Sequence, residues 1–154
     1  YYTQVDKNNP KRLMRAIEVC LTTGKKYSEM RTHTPKKRPF NILKIGLNLE
    51  REELFQRISH RTDKMVEEGL VEEARQLYPY RHLNALNTVG YKEIFRYLDG
   101  EINLKQAVTD IKTSTRRYAK RQLTWFKKDP EIQWSSPFQW EEVVTFVKRN
   151  QAKG

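Results

Sequence analysis

Arg61 stands where a leucine would be expected. When residues 48–68 are wound as a helix at about 100° per residue, Leu54, Phe55, Ile58 and Met65 form one apolar stripe, and Arg61 falls inside it, between Ile58 and Met65. Burying an unpartnered guanidinium costs on the order of several kcal/mol, so the position calls for a physical reason. The side chain snorkels past the edge of the core, or pairs with a carboxylate such as Glu93, or points into a cavity and holds an anion. For the last role the planar guanidinium fork suits phosphate. Helical spacing alone does not separate the three.

Three further stretches raise the same chemistry. In "NTVGYKE", Gly90 directly precedes a helix, where close backbone approach and free N–H groups attract phosphate; an ordinary turn reads equally well. In "NPKRLMRA", Arg12 and Arg15 lie at i and i+3 with Lys11 alongside, in the opening turns of a helix whose dipole disfavours cations. An anionic partner accounts for this, and so does a local pair with Glu18. "TRRYAKRQLTWFKK", residues 115–128, holds six basic residues and no acidic one. Lys112, Arg116, Lys120 and Lys127 fall on one half with Arg117, Arg121 and Lys128; Ile111, Tyr118, Gln122, Trp125 and Phe126 fall opposite, in line with Leu104 and Val108. A solvated helix ordinarily mixes signs. The pattern favours a helix with one packed half and one half facing an anion.

The elements that must position these residues follow from caps and periodicity. Asn9 is a fair N-cap and Pro10 suits the first helical position, so a helix runs from Pro10, with Leu13, Ile17, Cys20 and Leu21 on its buried face, until Gly24 stops it. Residues 25–39 read as an irregular basic connection punctuated by Pro35 and Pro39. Residues 40–47 read as a strand. Asn48 caps the next helix, which carries Glu50, Glu52 and Glu53 at its positive end and continues to about residue 68; a shorter helix follows at about 71–78. Residues 79–90 form a loop and 91–99 a short helix. Asn103 caps a long helix reaching about residue 127, and a short strand at 131–136 and a final helix at 139–151 complete the chain. The expected fold is mostly α with one or two strands.

With 154 residues the chain fits one domain, and its net charge of +11 points to nucleic acid, anionic lipid or a phosphorylated ligand as partner. It has no apolar run long enough to span a membrane and no signal-like segment. Cys20 is the only cysteine, which excludes a disulfide framework and fits a reducing, cytoplasmic setting. His33, His60 and His82 show no ligand spacing with one another or with Cys20, so no metal site is read from protein ligands. The first residue is Tyr1 rather than an initiator methionine, which suggests a processed chain or part of a longer one.

The pieces also occur together, in order and at suitable intervals. "NPKRLMRAIEV…TG", "LKIGL", "RISHRTDKMVEEGLVEEARQL", "NTVGYKEIFRYLDGEI" and "TRRYAKRQLTWF" resemble the C-terminal half of the bacterial tRNA dimethylallyltransferase family, also called tRNA isopentenyltransferase. The resemblance covers about residues 5–134. It implies transfer of a dimethylallyl group from dimethylallyl diphosphate to N6 of the adenosine 3′ of the tRNA anticodon. A neutral amine then attacks an allylic carbon while diphosphate leaves, so cations and Mg²⁺ stabilise the leaving group. The base must also be extruded from its stack.

Carried over residue by residue, the resemblance implies that Arg61 contacts the diphosphate. It implies that tRNA is met by Lys11, Arg12, Leu13, Met14 and Arg15, by Asn87, Thr88, Val89, Gly90 and Tyr91, and by Lys120, Arg121, Gln122, Leu123, Thr124, Trp125, Phe126 and Lys127. Arg116 matches a family position too, and helix geometry lets it face phosphate; Gln122 is structural or lines the channel. Family members begin with a P-loop and an aspartate thought to act as general base; the six glycines here form no P-loop. The resemblance therefore implies that residues 1–154 are a single C-terminal part of an α/β, P-loop kinase-like enzyme. The P-loop part and most of the anticodon-binding insertion would lie upstream, Mg²⁺ would be held mostly through that half, and the enzyme would be a cytoplasmic monomer. The rival readings are a helical RNA-binding module without chemistry, for which charge and aromatics suffice, and a DNA-binding helical protein, against which stands the lack of a clear helix-turn-helix.

Overall fold

The computed structural model describes residues 1–3, 5–31 and 38–151. His33 and Pro35, in the basic connection, lie outside the described residues. The chain divides into two compact units, Tyr1–Asn41 and Ile42–Gly154.

The first unit is built on α1, Pro10–Thr23, and a single further turn, α2, Tyr27–Met30. The start of α1 follows its local chemistry: Asn9 Oδ1 accepts the Arg12 N–H at 3.3 Å, Pro10 occupies the first turn, and Gly24 closes the helix in the left-handed region. Its expected apolar face is not buried. Only Ala16 is; Leu13 is half-buried, whereas Ile17, Cys20 and Leu21 are exposed. Nor is the segment after Gly24 wholly irregular, since α2 forms within it, its backbone closed by the Arg31 N–H donating to the Tyr27 carbonyl.

The second unit runs β1 (Lys44–Leu47), α3 (Arg51–Glu67), α4 (Leu70–Leu77), two single 3₁₀ turns, α5 (Tyr91–Leu98), α6 (Leu104–Phe126), β2 (Ile132–Ser135) and α7 (Trp140–Gln151). The fold is thus mostly helical, with one two-stranded parallel sheet in which Lys44 pairs with Ile132 and Leu47 with Ser135. β1 is shorter than the expected 40–47, because its ladder partner offers four residues; Phe40 and Ile42 are exposed. Gly46 is required by close approach: a Cβ there would stand 2.7 Å from the Trp134 ring, its partner across the ladder. Asn48 does not cap α3. Its N–H donates to the Ser135 carbonyl at 3.0 Å, which keeps it in the sheet, and the helix starts three residues later behind Glu50, without a side-chain cap. Asn103 does cap α6, accepting the Gln106 N–H at 2.9 Å.

The core lies where α4, α5 and α6 meet, built from Leu70, Ala74, Ile94, Phe95, Ala107 and Ile111. Burying such side chains supplies the main favourable term in folding. α3 packs along α6 as well. The two are tied by Lys112, whose Nζ lies 2.6 Å from Asp63 Oδ1 with 21% of the side chain exposed. Lys112 is therefore an internal ion-pair partner and does not belong to a free positive face. The packed half of α6 is also shorter than its periodicity suggests. Ile111 is buried, but Tyr118, Gln122, Trp125 and Phe126 are exposed, because the second half of α6 runs beyond the buried core formed with α4 and α5.

Candidate functional site

α3, α6 and the turn before α5 enclose a cavity of about 560 Å³. Its lining is Arg61, Thr62 and Met65 from α3, Asn87, Thr88 and Val89 from the turn, and Ile111, Thr115 and Tyr118 from α6. Among the described residues, Arg61 is the only cationic side chain in this lining and no carboxylate accompanies it. It is exposed and makes no ion pair or side-chain hydrogen bond with any described residue.

The pairing with Glu93 that the helical stripe left open does not occur. The Glu93 carboxylate accepts the Gly90 N–H at 2.9 Å and the Ser114 hydroxyl at 2.8 Å instead. Thr62 and Thr115 donate their hydroxyls to the carbonyls of Ile58 and Ile111, so these polar groups stand satisfied on otherwise apolar faces. A cavity with one unpaired guanidinium, small hydroxyls, an amide at Asn87 and no negative charge favours an anion.

The turn keeps its glycine for conformation and not for crowding. Gly90 has φ +105°, and a Cβ there would meet nothing within 4 Å. Its N–H does not remain free for a phosphate, as the sequence suggested, because Glu93 takes it. Tyr91 donates its hydroxyl to Glu73, and this bond, with burial second, holds the phenol above its ordinary range.

Arg116 is placed differently from its neighbours on α6. Its guanidinium lies 5.0 Å from the Phe55 ring centre, with Arg51 at 5.2 Å from the same ring, and its Nε is buried without a hydrogen-bond partner. A buried donor left unmade is costly, and the Phe55 ring face against the guanidinium offsets part of that cost. Lys120, Arg121, Gln122, Thr124, Trp125, Phe126 and Lys127 are exposed and Leu123 is half-buried. Arg121 lies over the Tyr118 ring at 5.8 Å, and Trp125 meets Phe126 edge to face. This stretch borders a second cavity of about 1080 Å³ between the end of α6 and the two strands, lined chiefly by apolar side chains such as Leu47, Leu123, Phe126 and Trp134. The larger cavity has the volume; the smaller has the arginine.

In the first unit, Lys11, Arg12, Met14 and Arg15 are exposed and Leu13 half-buried. Arg15 pairs with Glu18 at 3.3 Å, the local alternative that the sequence allowed, while Lys11 and Arg12 make no ion pair among the described residues. Within the second unit, then, Arg61, Asn87, Thr88 and Val89 converge on one cavity, with Gly90 and Tyr91 directly behind. Sequence reasoning missed Thr62, Thr115 and Tyr118 as lining and Glu93 as the anchor of the turn. The visible signal for the threonines was a hydroxyl on an apolar stripe. Among the described residues no group of three or more His, Cys, Asp or Glu side chains is arranged to hold a metal ion.

A family model described as IPP transferase matches residues 1–129. The chain is 54% identical over 147 residues to tRNA dimethylallyltransferase 1 of Phocaeicola vulgatus, covering 96% of this chain and 49% of that protein. It is also 54% identical over 149 residues to tRNA dimethylallyltransferase 2 of Parabacteroides distasonis, covering 97% and 50%. Among solved structures it is similar to the full-length tRNA isopentenylpyrophosphate transferase of Bacillus halodurans, with TM-score 0.70 and 35% identity over 98% of this chain and 48% of that one. A eukaryotic dimethylallyltransferase described as acting on tRNA matches with TM-score 0.65 and 30% identity, covering 89% and 38%. The chain spans about half the length of the relatives it matches.

Proposed function

The chain belongs to the IPP transferase family, and from that premise we propose that it supplies the leaving-group arginine and an RNA-holding face for prenylation of tRNA. The reaction is transfer of dimethylallyl from dimethylallyl diphosphate to N6 of the adenosine 3′ of the anticodon. The N6 lone pair forms a bond to the allylic carbon, the carbon–oxygen bond breaks, and the electron pair departs with diphosphate. The N6 proton passes to a base outside this chain. The observation that carries the reading is the unpaired Arg61 in a cavity free of carboxylates.

In this reading Arg61 meets the diphosphate oxygens as they gain charge, an interaction stronger in the transition state than in the ground state. Asn87, Thr88 and Val89 form the wall opposite α3, where a flipped base and its neighbours lie. Lys120, Arg121 and Lys127 hold backbone phosphates, and Trp125 offers a stacking face. Arg116, held over Phe55, adds a further positive charge to α6. In the first unit, Lys11 and Arg12 are cations left to meet RNA phosphates in this reading.

The resemblance implies Mg²⁺. Among the described residues the cavity lining holds no carboxylate, so these residues do not fit a magnesium cage. In this reading the phosphate cradle and general base are supplied by the remainder of a longer protein, which acts as a cytoplasmic monomer.

The test uses the 154-residue chain with inorganic pyrophosphate and an anticodon stem-loop. The chain is expected to bind both, to lose pyrophosphate on Arg61→Ala, and to transfer no radiolabelled prenyl group, since positioning and charge stabilisation by the absent cradle supply most of the catalysis. Equal pyrophosphate binding by the variant sinks the role of Arg61. Prenyl transfer by the chain alone sinks the division of labour.

A further inference from the structure

Glu93 has no role in the chemistry just described, yet it is one of only two polar residues buried among those described, at 6% exposure. Its neighbours Ile94 and Phe95 are core. Burying a carboxylate costs free energy unless its oxygens are bonded, and a leucine would fill the same volume without that cost. No described cation pairs with it. What it does instead is bridge: Oε2 accepts the backbone N–H of Gly90, and Oε1 accepts the hydroxyl of Ser114, 21 residues away on α6.

The two bonded groups stand directly behind the cavity. Gly90 follows Asn87, Thr88 and Val89, which form one wall; Ser114 precedes Thr115, which with Ile111 and Tyr118 forms another. A helix cap explains the first bond, since an acidic residue three positions inside a helix commonly reaches back to the cap N–H. It does not explain the second. Gly90 has no side chain with which to return a bond, so the cap is one-sided.

We infer that Glu93 is a positioning residue, which sets the distance between the turn at 87–90 and α6 and so shapes the cavity that Arg61 serves. The inference rests on the reading of Arg61 as an anion-binding residue. Glu93 touches neither substrate nor reacting atoms; it acts through the turn.

Three variants test it. Glu93→Leu keeps the volume and loses both bonds. Glu93→Gln keeps both, because its amide oxygen accepts from Gly90 and its NH₂ donates to the Ser114 oxygen. Ser114→Ala removes one bond without altering the core, which keeps the test open if the leucine variant fails to fold. Pyrophosphate affinity is expected to fall about tenfold in Glu93→Leu, to fall less in Ser114→Ala, and to stay within about twofold of the parent in Glu93→Gln. Amide exchange by NMR should quicken at Gly90 and residues 87–89 in the first two variants, and not in the α4–α5–α6 core. Unchanged exchange at the turn in both Glu93→Leu and Ser114→Ala overturns the inference, as does pyrophosphate affinity that ignores all three substitutions. If the parent chain binds no pyrophosphate, the reading of Arg61 fails instead, and the exchange measurement alone judges Glu93.

Discussion

Arg61 stands among apolar neighbours because the helix face it occupies opens onto a cavity rather than onto the core. Ile58 and Thr62, on either side, are buried, while Arg61 itself is exposed and unpaired. The consequence for stability has a definite sign. Removing one partner of a buried ion pair typically costs about 3 to 5 kcal/mol, whereas an exposed, unpaired side chain stays within about 1 kcal/mol. Arg61→Ala is therefore expected to leave the urea midpoint nearly unchanged, and in a full-length enzyme to lower kcat and raise KM for dimethylallyl diphosphate. A large loss of stability with unaltered kinetics would make Arg61 architecture. Lys112 supplies the contrast on α6, which packs along α3. It looked like part of a phosphate-facing surface, yet it is bonded to Asp63 and only 21% of its side chain is exposed.

At the scale of elements, α6 divides into a buried first half, around Ala107 and Ile111, and an exposed second half with Tyr118, Trp125 and Phe126 open. If that second half meets RNA, affinity should fall by about 0.7 to 0.9 log units per phosphate contact per decade of salt. Replacing Lys120 and Arg121 with Ala should flatten the slope of log affinity against log salt by roughly 1 to 2, and an unchanged slope would return both side chains to solvent. Helix starts were legible where the signal is local: Asn9 with Pro10, and Asn103, act within three residues of themselves. Asn48 misled, because the same side-chain type also suits a strand end, and a backbone bond to Ser135 decided the matter. The extent of burial along α1 and α6 was not legible at all, since period marks which face is apolar and not what covers it. The cavity was half legible. Arg61 and the Gly90 turn stood out by chemistry, but the bridge from Glu93 to Ser114 joins residues that no spacing rule connects.

In the second unit a small polar tie joins the two strands at one end. Lys44 Nζ lies 2.8 Å from Asp129 and 2.5 Å from Glu131, joining the start of β1 to the chain entering β2. The bond from Lys44, then the Glu131 N–H, hold the Asp129 carboxyl below its ordinary 3.8. The Asp129 bond, then that to Glu131, raise Lys44 above its ordinary 10.5. The depressed carboxyl contributes stability that is complete above 3.8 and lost as pH falls through its folded value. The raised amine contributes stability that is complete below 10.5 and lost as pH rises through its own. The difference in urea midpoint between the parent and Lys44→Met should thus be flat from about pH 5 to 9 and shrink at both extremes. A difference that persists at pH 2 would assign the effect to packing of the lysine stem.

That tie spans 85 residues of chain, and the separation sets an order of events in folding. Contacts among α4, α5 and α6 are near in sequence and nucleate cheaply; the parallel strands meet only after the whole helical body has closed the loop between them. Strand pairing is then absent from the rate-limiting barrier. Gly46→Val, which drives a side chain into the Trp134 ring, should speed unfolding while leaving the refolding rate almost untouched, whereas Ile94→Val should slow refolding. In stopped-flow experiments on a variant with Trp125 and Trp140 replaced by Phe, which leaves Trp134 as the sole tryptophan, its fluorescence should accordingly lag behind the far-ultraviolet signal of the helices.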